Sequence, residues 1–254
     1  MWLSKFFSKK KRRVKVNPDD FYIIPKSEIT YSNDLLYTYH NADFMKEPLF
    51  DESYQLCKKI GGDLLKDYDI QWRIHVLCWA ASHAKHLEGD FVDCGVNTGF
   101  CPRAIINYVD FAKLDKKYYF LDTFAGMDER YSSAYEMERH QKLGYGKKGD
   151  IYEQVKETFK DFNVEIIKGA VPDTLPLVKA EKICFLSMDM NCVQPEVDAL
   201  NYFWDKMVSG GMIVLDDYGY PGCIDQKLAH DAFAKSKNVM VLSLPTCQGL
   251  IIKP

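Results

Sequence analysis

The sequence has no C-x-x-C pair, no His/Cys cluster at zinc spacing, no internal repeat and no apolar run of the ~20 residues that crosses a bilayer. A thiol-ligated zinc site, a dithiol redox centre and a membrane-spanning helix are therefore not expected. The eight cysteines (57, 78, 94, 101, 184, 192, 223 and 247) are scattered, several in apolar runs, and read as buried thiols of a reducing cytosol. A run of basic charge without acids is found only in the first fifteen residues, where Lys5, Lys9, Lys10, Lys11, Arg12, Arg13 and Lys15 stand without one acid. With a formal net charge of −3, the remainder is distinctly acidic and gives no footprint for nucleic acid. The same lysines interrupt any stretch that would serve as a secretory signal.

What is present is a globular composition, 47% hydrophobic and 14% aromatic over 254 residues, enough for one catalytic domain with an appendage. From about residue 90, short apolar runs alternate with helix-like stretches, which predicts a mostly parallel sheet covered on both faces. The expected strands are Phe91–Val96, Tyr118–Phe124, Val164–Lys168, Ile183–Met188 and Met212–Leu215. A helix from about Ile224 to Lys235 then leads to Val239–Leu244 and Leu250–Ile252, too close together for anything but an antiparallel hairpin. The expectation is α/β: a Rossmann-like, seven-stranded mixed sheet of the class I methyltransferase kind, closed by a C-terminal hairpin. A dinucleotide-binding sheet would end on a sixth parallel strand.

Three segments follow: a basic tail over 1–20, a helical or irregular cap over 21–89, and a catalytic domain over 90–254 with a polar, glycine-containing lid insertion at about 127–150; upstream of the sheet, residues 16–60 read as irregular and aromatic-rich, and about Ile70 to Leu87 as helix. The lid is expected because some 40 residues separate Phe124 from Val164, far above the usual 2–6. In the tail, Trp2, Leu3, Phe6 and Phe7 share a face at helical spacing, followed by Lys9–Arg13. That pattern suits weak contact with an anionic membrane surface through residues 1–15, against a disordered solvated tail as the alternative. The expected location is cytoplasmic, peripheral at the inner membrane face if the tail binds, and self-association is left open.

Candidate site residues fall at the strand ends. Asp93, Gly95, Val96, Asn97, Thr98 and Gly99 form a strand running into a G-x-x-x-G turn and a helix, where glycine permits close approach of the backbone to a ligand. The same pattern also arises from tight packing alone. Asp122, 29 positions after Asp93 and followed by Thr123 and Phe124, offers a carboxylate to ribose hydroxyls. Gly169 and Ala170 end the third strand, where an adenine could lie. Asp189 ends the fourth strand and Asp216 and Asp217 the fifth. Neighbouring strands lie about 4.8 Å apart, so three carboxylates converge and call for a hard cation, Mg²⁺ first, with Ca²⁺ or Mn²⁺ as alternatives. The bland reading of Asp216 and Asp217 is turn and cap hydrogen bonding.

Together, Asp93-x-Gly95-Val96 with Gly99, Asp122-Thr123-Phe124-x-Gly126-Met127, Gly169-x-x-x-Asp173-Thr174-Leu175-Pro176, Asp189, Gly210-Gly211 and Asp216-Asp217-Tyr218 resemble the macrocin O-methyltransferase family over roughly residues 70–235. The resemblance implies S-adenosylmethionine (SAM) as cofactor, with Asp122 as ribose partner. It also implies Mg²⁺ on Asp189, Asp216 and Asp217, and transfer to one hydroxyl of a vicinal diol on a sugar, glycan or related small molecule. One position departs: where the family carries a second acid after the fourth strand, this chain has Asn191, and Val193 and Gln194 replace the residues that usually follow. An amide takes no proton at neutral pH. The base must then be another group, a hydroxide at the metal, or absent; His140 in the lid is a candidate, with an exposed loop histidine as its alternative and His230 weaker. The helix bearing Arg73, His75 and Trp79 is read as supporting the methionine end of SAM, or as core packing and ion pairing. Two competing functions are a catalytically degenerate SAM-binding partner module, with Asn191 as its mark, and an NAD-dependent oxidoreductase.

Overall fold

The computed structural model describes residues 25–144, 146 and 149–254; the basic tail read for residues 1–15 lies outside them. Nine strands and seven α-helices follow one another among the described residues. A two-stranded hairpin, β1 (Tyr31–Asn33) and β2 (Leu36–Thr38), precedes α1 (Pro48–Gly61) and α2 (Gln71–Ala84). The main sheet is built from β3 (Asp90–Cys94), β4 (Tyr118–Asp122), β5 (Val164–Lys168), β6 (Ile183–Met188), β7 (Met207–Leu215), β8 (Leu242–Ser243) and β9 (Gly249–Ile252). Between these strands run α3 (Phe100–Tyr108), α4 (Ala134–Leu143), α5 (Tyr152–Phe159), α6 (Val193–Trp204) and α7 (Ile224–Ser236).

The sheet order is β5-β4-β3-β6-β7-β9-β8, with β3 to β7 parallel and β9 antiparallel to both its neighbours. This is the expected seven-stranded mixed sheet with its closing hairpin. Side chains alternate across it with period two. Phe91, Phe120, Phe185 and Met212 enter one core with α1, α2, α3 and α5. Val92, Leu121, Leu186 and Ile213 enter the other with α6 and α7. Both faces are dry, which is why the strands read as continuous apolar runs rather than as an alternation. From the central β3 the chain winds outward to β5, then returns to β6, so the switch in winding direction lies between the ends of β3 and β6.

Three elements differ from the sequence expectation. Residues 16–60 read as irregular, yet Pro48–Gly61 form α1, opened by proline at the first position, with Phe50, Tyr54 and Cys57 buried in the shared core. The hairpin strand expected over Val239–Leu244 is reduced to Leu242–Ser243. The lid segment is not simply polar loop: α4 occupies Ala134–Leu143, begun by a capping box of Ser133 and Glu136 and ended by Gly144 at φ +84°. No helix among the described residues is long and apolar enough to cross a membrane.

Candidate active site

The loop after β3 crosses the loop after β6 so closely that Gly95, at φ +93°, has no room for a side chain. A Cβ there would lie 2.0 Å from the Asp189 carbonyl oxygen. At Gly99, φ +86°, a Cβ would meet the Phe159 ring at 2.3 Å. Both glycines are thus required by protein packed against protein, and the turn they shape is fixed before any ligand arrives. Asp122 pins that turn from β4: its Oδ2 accepts the Asn97 N–H at 2.8 Å and its Oδ1 the Phe124 N–H at 2.5 Å. Burial raises the Asp122 carboxyl above its usual range, against these hydrogen bonds.

A cavity of about 160 Å³ opens along these loops. Gly95, Asn97, Thr98, Asp122, Thr123, Phe124, Gly169 and Ala170 line it on the β3–β5 side, and Asp189 and Asn191 line it on the β6 side. Asp93, Val96 and Gly99 do not. Asp93 lies behind the turn, where burial pushes its carboxyl up to about 8 and the Tyr118 hydroxyl lies 3.4 Å away. Val96 is in the core at 3% exposure, and Gly99 starts α3. Thr98, on the cavity wall, has its Oγ1 buried with no hydrogen-bond partner among the described residues.

The three aspartates meet as expected. One oxygen from each of Asp189, Asp216 and Asp217 lies within 4.8 Å of the others. Their surroundings differ. Asp216 is held on both oxygens, Oδ1 accepting from Gln248 Nε2 at 3.0 Å and Oδ2 from Arg73 Nη1 at 2.5 Å. Asp189 Oδ1 accepts from Asn191 Nδ2 at 2.8 Å. Asp217 Oδ2 is buried and has no partner among the described residues. Burial and the neighbouring carboxylates drive Asp189 well above the usual range, and burial with Asp216 pushes Asp217 up to about 7. An all-oxygen set with an orphaned lone pair and surplus negative charge suits a hard divalent cation.

His140 lines the cavity from α4, its ring against Gly126 on the loop after β4 rather than on the loop carrying Asp189. Burial and Arg139 lower its pKa, so at pH 7 the ring is neutral. His230 does not line the cavity; it is buried against Glu196, with Nε2 2.9 Å from Oε2. On α2, His75 stacks on Phe44 at 4.0 Å and Trp79 is half exposed, so neither reaches the cavity. Arg73 pairs with Asp216 and Asp34, the ion-pair alternative. Sequence reading passed over Glu136, Arg139 and Glu196. The Ser133-x-x-Glu136 spacing, a capping-box signature, was the signal available for the first two.

The sheet order, the glycine turn after the first parallel strand and the acid ending the second define a class I methyltransferase fold. Solved structures agree on that fold. The O-methyltransferase NovP superposes with a TM-score of 0.65 at 18% identity, covering 80% of this chain and 97% of its own. A calicheamicin methyltransferase superposes at 0.57 and 12% identity, covering 81% and 93%. The sequence profile of the macrocin O-methyltransferase family (TylF) matches residues 73–241, and the chain belongs to that family. Among curated relatives, the 8-demethyl-8-(2,3-dimethoxy-alpha-L-rhamnosyl)-tetracenomycin-C 4'-O-methyltransferase of Streptomyces olivaceus is 27% identical over 153 residues, 56% of this chain and 58% of that protein. The mycinamicin III 3''-O-methyltransferase of Micromonospora griseorubida is 26% identical over 152 residues, 54% and 58%. The matched stretch thus spans somewhat over half the length of these relatives.

Proposed function

We propose that the chain is a SAM-dependent O-methyltransferase, assisted by a divalent cation, that acts on a hydroxyl of a sugar or related polyol. The observation that carries this reading is one cavity joining the Asp122-pinned turn to Asp189, beside a carboxylate cluster whose Asp217 Oδ2 lacks a partner among the described residues. Membership of a family whose curated relatives bear sugar O-methyltransferase names supports the substrate class.

SAM supplies a methyl group on a sulfonium, and transfer to oxygen depends on holding donor and acceptor in line at about 3 Å. The Gly95–Gly99 turn and Asp122 would bind the nucleoside, Asp122 through the acceptor capacity left beside the Asn97 and Phe124 N–H groups and the Thr123 hydroxyl. Gly169 and Ala170 would bound the adenine. Asp189, Asp216 and Asp217 would hold the cation, whose charge orients a diol and acidifies its hydroxyl. Asn191 takes no proton. With Nδ2 committed to Asp189, its Oδ1 is left to accept a hydrogen bond from an acceptor hydroxyl. His140, neutral at pH 7, is the cavity's candidate proton acceptor. Residues 90–254 form the catalytic unit in this reading, with 21–89 as cap. The tail over 1–15 would serve weak membrane attachment, the chain working in the cytoplasm.

Isothermal titration with SAM and with NAD, followed by turnover of SAM on sugar nucleotides and glycan fragments with and without EDTA, tests the reading. Binding of SAM with activity lost in EDTA and restored by Mg²⁺ is expected. Undiminished activity in EDTA removes the cation, and binding of NAD in place of SAM removes the methyltransferase reading.

A further inference from the structure

The loop between β6 and α6 carries Asn191 at φ +60°, out of the sheet's hydrogen-bond ladder, so its backbone groups need partners elsewhere. From beneath, buried Glu196 supplies some: its Oε1 accepts the N–H groups of Met190 at 2.9 Å and Asn191 at 3.1 Å. From above, the partners come from α4. Glu136 Oε1 accepts the Val193 N–H at 2.8 Å, while its Oε2 accepts the Ser133 N–H that closes the capping box. Arg139 Nη2 donates to the Asn191 carbonyl at 2.9 Å and to Gln226 Oε1 at 3.1 Å, and Nη1 donates to the Gly222 carbonyl at 3.1 Å.

Arg139 Nη1 also donates to the Cys223 sulfur, so the guanidinium spreads over acceptors from three segments: the loop after β6, the turn after β7 and the first turn of α7. A fork with five donors and a fixed shape suits bridging of this kind, which a lysine's single ammonium reproduces only in part. The helix it sits on also presents His140 to the cavity. We infer that Arg139, with Glu136, couples docking of the lid helix α4 to the placement of the loop bearing Asp189 and Asn191. Arg139 is a positioning residue for the acceptor side of the site. The functional half of this inference rests on the methyltransferase reading; the coupling does not, because it is written in hydrogen bonds of the chain itself.

Residue-resolved amide hydrogen exchange on the full chain, without ligand, tests it in the wild type, Arg139→Ala and Arg139→Lys. Loss of the guanidinium bonds frees α4 from the loop and withdraws the Glu136 carboxylate it carries from the Val193 N–H, so exchange at Val193 should speed roughly 10–100-fold. Met190 and Asn191, still held by Glu196, should change less, and β6 not at all. Arg139→Lys should restore part of the protection at Val193. Unchanged exchange at Val193 in Arg139→Ala overturns the coupling, and so does acceleration spread equally over β6, which is general loosening. Should the alanine variant fail to fold, the lysine variant decides alone: partial loss confined to Val193 upholds the coupling, and wild-type exchange there refutes it. Titration with S-adenosylhomocysteine on the same samples reads the methyltransferase assignment separately, since absence of binding to the wild type defeats that assignment and leaves the exchange result standing.

Discussion

Arg73 stands between Asp34 and Asp216, with Nε 2.7 Å from Asp34 Oδ2 and Nη1 2.5 Å from Asp216 Oδ2, and so ties the N-terminal hairpin to the carboxylate cluster. Asp34 also accepts from the Tyr68 hydroxyl. Three segments far apart in sequence thus meet on one mostly buried guanidinium, whose side chain is 15% exposed. Arg73→Gln should destabilise the fold by about 3–5 kcal/mol, because it strands two carboxylates in a site with little solvent. Urea unfolding measures this, and adding Asp34→Asn to the same chain should recover part of the loss. A loss below about 1 kcal/mol would assign the pair to the class of weak surface bridges.

Asp122 shapes the protein's own turn independently of the ribose contact proposed for it. Asp122→Ala removes the acceptors of the Asn97 and Phe124 N–H groups as well as the ribose partner. SAM affinity should fall roughly 10–100-fold, and thermal stability should fall with it. Isothermal titration and a melting curve on the same variant check both. Intact SAM affinity would move the nucleoside away from Asp122.

The residues legible in sequence were those whose role follows from the strand they end. Asp122, Asp189, Asp216 and Asp217 sit at carboxyl ends of parallel strands, and the adjacency of β6 and β7 brings the last three together. Arg73 was seen, but its partners were not, since Asp34 lies 39 positions before it and Asp216 lies 143 after it. Sequence spacing carries no information about such pairs. Both readings of the glycines were open in sequence, close approach to a ligand and tight packing, and the packing is the one with named partners: Gly95 and Gly99 yield to Asp189 and Phe159, contacts that exist only once the sheet has closed. Helix α4 was missed because its polar face hid the helical period, although its capping box was written in Ser133 and Glu136.

Asn191 donates to Asp189 through Nδ2 at 2.8 Å, so Asn191→Asp replaces an attraction with two facing acids. One of the pair must then hold a proton near neutrality. The pH–rate profile of any acceptor turned over by the wild type should gain an added limb in the variant, with wild-type activity already present before the change. An inactive wild type rescued by this substitution would instead mark the natural chain as a degenerate module.

Metal binding and protonation compete at Asp217, and the direction of that competition can be worked out. Burial, with Asp216 beside it, pushes its carboxyl up to about 7 in the folded protein, far above the ~4 of a solvated aspartate. As pH climbs from 4 towards 7, the unfolded chain releases this proton while the folded chain keeps it. The metal-free protein therefore loses stability through that window, and the loss levels off above 7. A cation needs the ionised form, so Mg²⁺ affinity should rise by roughly tenfold per pH unit for each proton displaced, up to about pH 7, with protons released on binding. Titration with Mg²⁺ at pH 6, 7 and 8 in buffers of different ionisation enthalpy reads both. Asp217→Asn should abolish the Mg²⁺ heat yet raise the melting temperature of the metal-free protein at pH 8, because a neutral amide suits a buried site that lacks its cation better than a carboxylate does. A lower melting temperature in that variant, or Mg²⁺ binding indifferent to pH, would show that Asp217 is already ionised and compensated by the protein, and a wild-type Mg²⁺ heat in Asp217→Asn would take the metal away from this residue.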